Sequence, residues 1–275
     1  MNKLQKAVFV SSGIITILIL AVVVLFILVN GISVIDFEFL FTNPINSGKA
    51  GGIFPMIVSS IYLMVLTAII SIPIALSSAV YITYYCKSTN IINLIRFISQ
   101  ILSSVPSIIY GLFAFSFIVI FLKLGWSIFS ASVVLSIMSI PTIFQVSEVS
   151  LRGVNNDLME ASLALGSSTS QAISKVILPS AAAGIFTGII LALTRAFSEA
   201  AAVMYVVGST LTMPMSVFDT GRPLPLHLYI LASEGISMDN AYGTAAVLII
   251  SIFIITFSAN IILNKLKGDC SEVRS

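Results

Sequence analysis

One apolar stretch of this chain carries two charges: Leu193-Thr194-Arg195-Ala196-Phe197-Ser198-Glu199-Ala200. The run 182–206 around them is otherwise uncharged and long enough to cross a bilayer, which takes about 20 apolar residues. Arg195 falls about 13 residues into it, ~20 Å along a helix, near or just past mid-bilayer. An isolated charge there costs at least a few kcal/mol, so it faces a bundle interior or a water-filled path. Residues i and i+4 share a helix face, so Arg195 and Glu199 are expected to pair. Two chemistries fit: a structural ion pair that fixes helix packing, or a planar guanidinium fork that grips an oxyanion while the glutamate holds it in place. Arg195 and Glu199 are therefore the candidate translocation residues. No serine–histidine or carboxylate pair has catalytic spacing within the spans. The single histidine, His227, rules out a multi-histidine metal site and reads as an interfacial contact.

The elements that must hold this pair are transmembrane helices. With 58% apolar and 9% charged residues and a mean hydropathy of +1.11, the chain is not a soluble globule, where charged residues make up ~25%. A net charge of +2 gives no reason to expect a nucleic-acid partner. Six spans are expected, at 8–29, 56–85, 98–122, 126–145, 182–206 and 241–263, in a single all-helical transmembrane domain over 1–275. The first, behind Lys3 and Lys6, is too long for a cleaved signal. With both termini in the cytoplasm, Lys3, Lys6, Lys87, Arg96, Arg152, Lys175, Lys265, Lys267 and Arg274 lie inside. Only Lys49, Lys123 and Arg222 lie outside. That bias fits the positive-inside rule and makes 146–181 a cytoplasmic loop. Cys86 and Cys270 then share the cytoplasmic side, where a disulfide is not expected.

Punctuation refines the picture. Gly51-Gly52-Ile53-Phe54-Pro55 marks a bend into the membrane, and Pro73 is tolerable inside the second span. Val105-Pro106 with Ser107 and Gly111 suggests a kinked, close-packed helix, and Pro141 a kink before the cytoplasmic loop. Gly184 and Gly188 form a small-xxx-small step for a second helix. Leu226–Ile236 is expected to form a short interfacial helix, and the chain after Lys267 a loose polar tail.

Between the fourth and fifth spans lies an elbow, 157–179. Asp157 with Glu160 reads as a capping box, and Leu158, Ala161, Ser162 and Leu165 as one shallow helix face. Gly166 stops that helix. Ser168 with Gln171 reads as a second capping box, and Pro179 as the end of the second helix.

Glu160-Ala161-Ser162, Gly166, Val176 and Leu178-Pro179 resemble the signature of permease subunits of binding-protein-dependent ABC importers. Ser162 replaces an alanine and Val176 an isoleucine of that pattern. The resemblance implies a type I importer permease fold whose elbow is a coupling helix docking on an ATPase. Glu160, Ala161, Leu165, Gly166, Leu178 and Pro179 would be its coupling residues. Along nearly the whole chain the sequence is similar to phosphate-importer permeases. The resemblance is carried by 51–55, Pro-Ser-Ile-Ile-Tyr-Gly-Leu-Phe at 106–113, Ala164-Leu165-Gly166 and Arg195-Ala196-Phe197-Ser198-Glu199. Ser198 stands where the family usually has glycine, and Ser59-Ser60 where it has Gly-Thr. Leu224–Tyr229 looks more like the PstA subunit than its PstC partner. The resemblance implies a PstC-type second permease, two PstB-type ATPases and an extracytoplasmic PstS-type phosphate-binding protein, in the cytoplasmic membrane of a prokaryote. No Walker sequence is present, so ATP and its magnesium are expected on the partner ATPase, with no cofactor or enzyme activity here. The PstC-type partner itself, a permease for molybdate or sulfate, and an ATP-independent channel or secondary transporter are the alternatives.

Overall fold

The computed structural model describes residues 3–272, with side chains from Gln5 to Asn264 apart from Ala7. Helix α1 (Lys3–Ile32) is apolar on every side and stays exposed along most of its length. It meets the bundle only near its end, where Phe26 packs edge-on to Tyr242 at 5.8 Å. There the Gly31 backbone lies so close to the Tyr242 carbonyl that an added Cβ would sit 2.3 Å from the oxygen.

A short helix, α2 (Phe37–Phe41), is capped by Asp36, whose carboxylate accepts from the Phe39 N–H at 2.7 Å. Two-residue strands β1 (Pro44–Ile45) and β2 (Ala50–Gly51) pair antiparallel and turn the chain into α3 (Phe54–Val80). The glycines at this bend are required: Gly51 has φ +76°, and a Cβ on Gly52 would meet three carbonyl oxygens at 2.6 Å. Pro73 lies inside α3, and a wider π-type turn, Tyr81–Tyr85, prolongs the helix.

The expected span 98–122 is instead two helices, α4 (Thr89–Ser104) and α5 (Ser107–Ala114), the latter extended by a π-type turn to Phe121. They are bent 96° from one another. Pro106 forces the break by holding Val105 extended (ψ 130°) and supplying no N–H. The fourth expected span, 126–145, is longer. Helix α6 runs Ile128–Arg152, with Pro141 inside it. Its last two turns look like loop in the sequence because Gln145, Glu148 and Arg152 are polar. Gln145 and Glu148 make their contacts with α4, Gln145 donating to Ser99 (3.0 Å) and Glu148 accepting from Arg96, while Arg152 pairs with Glu148.

Beyond the elbow helix α7 (Asn156–Ala164), a turn leads to α8 (Thr169–Ala172) and a π-type turn, Ile173–Ile177. Helix α9 (Leu178–Phe197) follows without a break, so Thr169–Phe197 is one rod. Pro179 therefore does not close the elbow. It sits inside the rod, just past the π-type turn, where the Leu178 N–H bonds five residues back to Ile173. The rod also stops nine residues short of the expected 206. A 3₁₀ turn at Val203–Tyr205 leads into a long connection, then α10 (Leu224–Ser233) and α11 (Met238–Glu272). The polar stretch after Lys267, expected as a loose tail, continues α11 to Glu272, and 273–275 lie outside the described residues. Among the described residues five stretches are long and apolar enough to cross a membrane, or six if the bent α4–α5 pair forms one span.

Helix α6 is the axis, enclosed by α3, α4 and α9. It is rich in serine: Ser130, Ser132, Ser136, Ser139 and Ser147 are buried. Ser132 and Ser136 donate to carbonyls four residues back at 2.8 and 2.6 Å, so small, largely self-satisfied side chains let neighbours approach closely. The expected glycine step does this on α9. A Cβ on Gly184 would stand 2.3 Å from Ser150 Oγ, and one on Gly188 2.7 Å from Val146 Cβ. At its other end α6 begins against the 206–221 connection. The N–H groups of Ser127, Ile128 and Phe129 donate to the carbonyls of Val206, Asp219 and Val217, which satisfies the helix start.

Candidate functional site

Arg195 lies in the last turn of α9, where a positive charge meets the negative end of the helix dipole. The Ser198 N–H donates back to the carbonyls of Thr194 and Arg195 at 3.3 and 3.2 Å, and the helix ends. Glu199 is therefore not one helical turn further along the same face. Its Oε1 accepts from the N–H groups of Ala201 (3.1 Å) and Ala202 (3.3 Å), capping the next turn. The expected Arg195–Glu199 ion pair is not formed: among the described residues every ion pair is made by Glu148. An i, i+4 pair needs a helix that continues through Glu199, and α9 stops at Phe197.

The two residues still line one narrow cleft of about 10 Å³, room for a single water. Arg195, Glu199, Ala192 and Ala196 line one side, and Leu135, Met138, Ser139 and Thr142 of α6 the other. Residues 135–142 are the middle of the 25-residue helix Ile128–Arg152, so Arg195 lies halfway along the most enclosed helix. It is nevertheless exposed, together with Thr187, Leu191 and Ser198. The result is a guanidinium at mid-depth, free of any carboxylate, on a face this chain alone does not cover.

The elbow lies at the far end of the rod. Its first helix is capped by Asn155, whose side-chain oxygen accepts from the Asp157 N–H (3.1 Å). The expected Asp157–Glu160 capping box is thus displaced: Asp157 is already inside the first turn, where its charge suits the helix start. The signal was the Asn-Asn-Asp run, in which any of the three suits a cap. Gly166 behaves as expected, with φ +87°. The Gly166 N–H donates to Leu163 (2.9 Å) and the Ser167 N–H to Ser162 (3.3 Å), the paired bonds of a Schellman stop. The Ser168–Gln171 capping box is present in both directions.

No residue of α7 is buried. Glu160, Ala161, Leu165 and Gly166 stand at its exposed tip, and Leu165 is 90% exposed. Leu178 and Pro179 belong to the root of the elbow, with Leu178 packed against the core. Ser162, expected on one shallow face with Leu158, Ala161 and Leu165, meets Ser167 hydroxyl to hydroxyl at 2.7 Å. The two groups of candidate residues are thus far apart, yet joined by one rod of 29 residues, ~43 Å long.

His227, expected at an interface, is 1% exposed and packs against Gly48, where the space exists only because glycine has no side chain. Cys86 is a free thiol, and the Cys270 side chain lies outside the described ones.

Comparison with known proteins places these features. The profile of the family described as binding-protein-dependent transport system inner membrane component matches residues 72–267. The chain is 31% identical to the probable ABC transporter permease protein YqgI of Bacillus subtilis (strain 168), over 94% of this chain and 93% of that one. It is 30% identical to the phosphate transport system permease protein PstA of Mycobacterium leprae (strain TN), over 73% of this chain and 67% of that one. Among solved structures it is similar in fold to a chain of a bacterial alginate ABC transporter in complex with an alginate pentasaccharide-bound periplasmic protein. The TM-score is 0.70 at 15% identity, covering 96% of this chain and 94% of that one.

Proposed function

Since the chain belongs to the family of binding-protein-dependent transport system inner membrane components, and is thus an ABC importer permease subunit, we propose that it carries inorganic phosphate across the cytoplasmic membrane of a prokaryote. The observation that supports this reading is the exposed Arg195 at mid-depth. A guanidinium facing hydrocarbon there is costly, so this face is covered by a second, PstC-type permease or lines a watered path between the two. A fork of N–H donors with no carboxylate partner suits a tetrahedral oxyanion in passage. Similarity to PstA supports phosphate over sulfate or molybdate.

In this reading the elbow side is cytoplasmic, as the lysine and arginine bias suggests, and both termini lie inside. The unburied tip of α7, with Leu165 bare, docks on one of two PstB-type ATPases. Those partners bind ATP and magnesium and hydrolyse the nucleotide, while this chain needs no cofactor. A PstS-type binding protein delivers the anion on the opposite side. The 1–275 chain acts as one transmembrane domain.

The test is labelled-phosphate uptake by proteoliposomes holding the assembled importer. Uptake is expected only with trapped ATP and external binding protein. Uptake without ATP would return the chain to the channel or secondary-transporter class. Uptake of sulfate or molybdate in place of phosphate would keep the machine and reject the substrate.

A further inference from the structure

A second polar centre lies at the elbow end of the bundle, away from Arg195. Arg96 of α4 and Arg152 at the end of α6 both turn toward Glu148, whose side chain is only 8% exposed. The Arg96 Nε–H (2.8 Å) and an Nη2–H donate to Glu148 Oε1, and Arg152 Nε stands 3.1 Å from the same oxygen as an ion pair. Two guanidiniums thus share one carboxylate oxygen. Among the described residues their remaining N–H groups have no protein acceptor. The arginines are 33% and 49% exposed and, with Gln100, Gln145 and Glu148, line an open cleft of about 330 Å³. A staple between α4 and α6 needs only one arginine, and the Ser99–Gln145 bond already makes a second link. The excess is one positive charge and several forked donors facing a space large enough for an ion.

We propose that this cleft is an anion site for a phosphate-type oxyanion at the elbow-side mouth of the permease. It rests on the transport reading only for its place on the path, as a release-side site after Arg195. The recognising chemistry is the guanidinium fork of Arg152 together with the free edge of Arg96, with Glu148 holding both in register and keeping the affinity low enough for release. Arg152 ends α6 three residues before Asn155, which caps the elbow helix, so occupancy of the cleft bears directly on the elbow. The same chemistry admits two sources, free phosphate or the phosphate of an anionic lipid headgroup.

The experiment is the melting temperature of the assembled importer in nanodiscs of zwitterionic lipid, titrated with inorganic phosphate at constant ionic strength. A ligand that binds the folded state raises it by mass action. The parent is expected to respond. Arg152→Gln should need about tenfold more phosphate for the same response, as loss of a charge-assisted contact predicts. Arg152→Lys should fall between them, and Glu148→Gln should need less phosphate than the parent. A merely structural cluster moves all three variants the same way, or leaves the half-saturating phosphate unchanged, and either result overturns the site. If the parent responds only in nanodiscs containing anionic lipid, and Arg152→Gln abolishes that response, the headgroup is the occupant and the site stands. These readings do not depend on uptake. Failure of phosphate uptake with a normal melting response rejects the transported substrate alone, and normal uptake with no charge-dependent response rejects the cleft alone.

Discussion

Arg195 is a charge whose partner was expected from spacing and is absent in the fold, and that changes what its variants should do. Arg195→Lys keeps the charge and loses the planar fork, so phosphate uptake should fall about tenfold or more at normal membrane abundance. Uptake near the parent rate in a well-expressed Arg195→Lys protein would remove the fork from the mechanism. Glu199 now has a separate part. Because its carboxylate caps the Ala201 and Ala202 N–H groups, Glu199→Gln keeps an acceptor and should preserve stability, while Glu199→Ala should cost ~1 kcal/mol. Thermal melts of the two variants side by side decide this. His227 offers a pH handle. Burial, with the nearby Arg222 adding to it, pushes its pKa down to about 4. The unfolded chain takes up a proton near the ordinary value of ~6.5 while the folded one does not. Stability should therefore be full above about pH 6.5 and fall as the pH drops toward 4. His227→Gln should flatten that slope, and an unchanged slope would assign the acid sensitivity elsewhere.

Among the elements, α6 and α9 are held together by the absence of side chains. Gly184→Ala should destabilise the protein or displace the helix pair, because the new methyl falls 2.3 Å from Ser150 Oγ. Adding Ser150→Gly should recover much of the loss, measured as melting temperature and membrane abundance. No recovery would mean that the strain lies elsewhere. Gly166 is different in kind. No atom lies within 4 Å of its missing Cβ, so Gly166→Val acts only through the backbone, at ~1–2 kcal/mol for a left-handed residue. The spans should insert normally, while binding-protein-stimulated ATP hydrolysis is lost. Normal stimulation would show that the elbow is not the docking element. These two glycine roles were legible in the sequence because each has a local cause, a turn or a repeat of small residues. The 96° break at Val105-Pro106 was visible only as a kink, since proline marks a break without giving its angle. The ends of α6 and α9 were misplaced for a related reason. Polar residues closing α6 find partners on α4, and an apolar run continues past residue 197 because the connection there is buried too.

For the whole molecule, apolar composition and the elbow signature were enough to reach the family, because both are carried by stretches contiguous in the chain. The open face at Arg195 and the cluster of Arg96 with Glu148 were not legible, because they join residues 52 apart or depend on where a helix stops. Topology remains open to a direct measurement. Cys86 is a partly exposed free thiol beyond the second span. It should resist a membrane-impermeant thiol reagent in intact cells and react after permeabilisation. Labelling from outside would invert the orientation assigned to the elbow. The continuous rod Thr169–Phe197 has one further consequence. Two close glycine contacts, Gly184 on Ser150 and Gly188 on Val146, lie partway along it and would serve as a fulcrum. The arm from Thr169 to Gly184 is ~22 Å and the arm from Gly188 to Arg195 ~10 Å, at 1.5 Å per residue. A tilt about that pivot swings the two ends in opposite directions, and each ångström of travel at the elbow becomes about half an ångström at the guanidinium. Such a rod is geared down: a long stroke at the elbow end would become a short, forceful one beside the arginine.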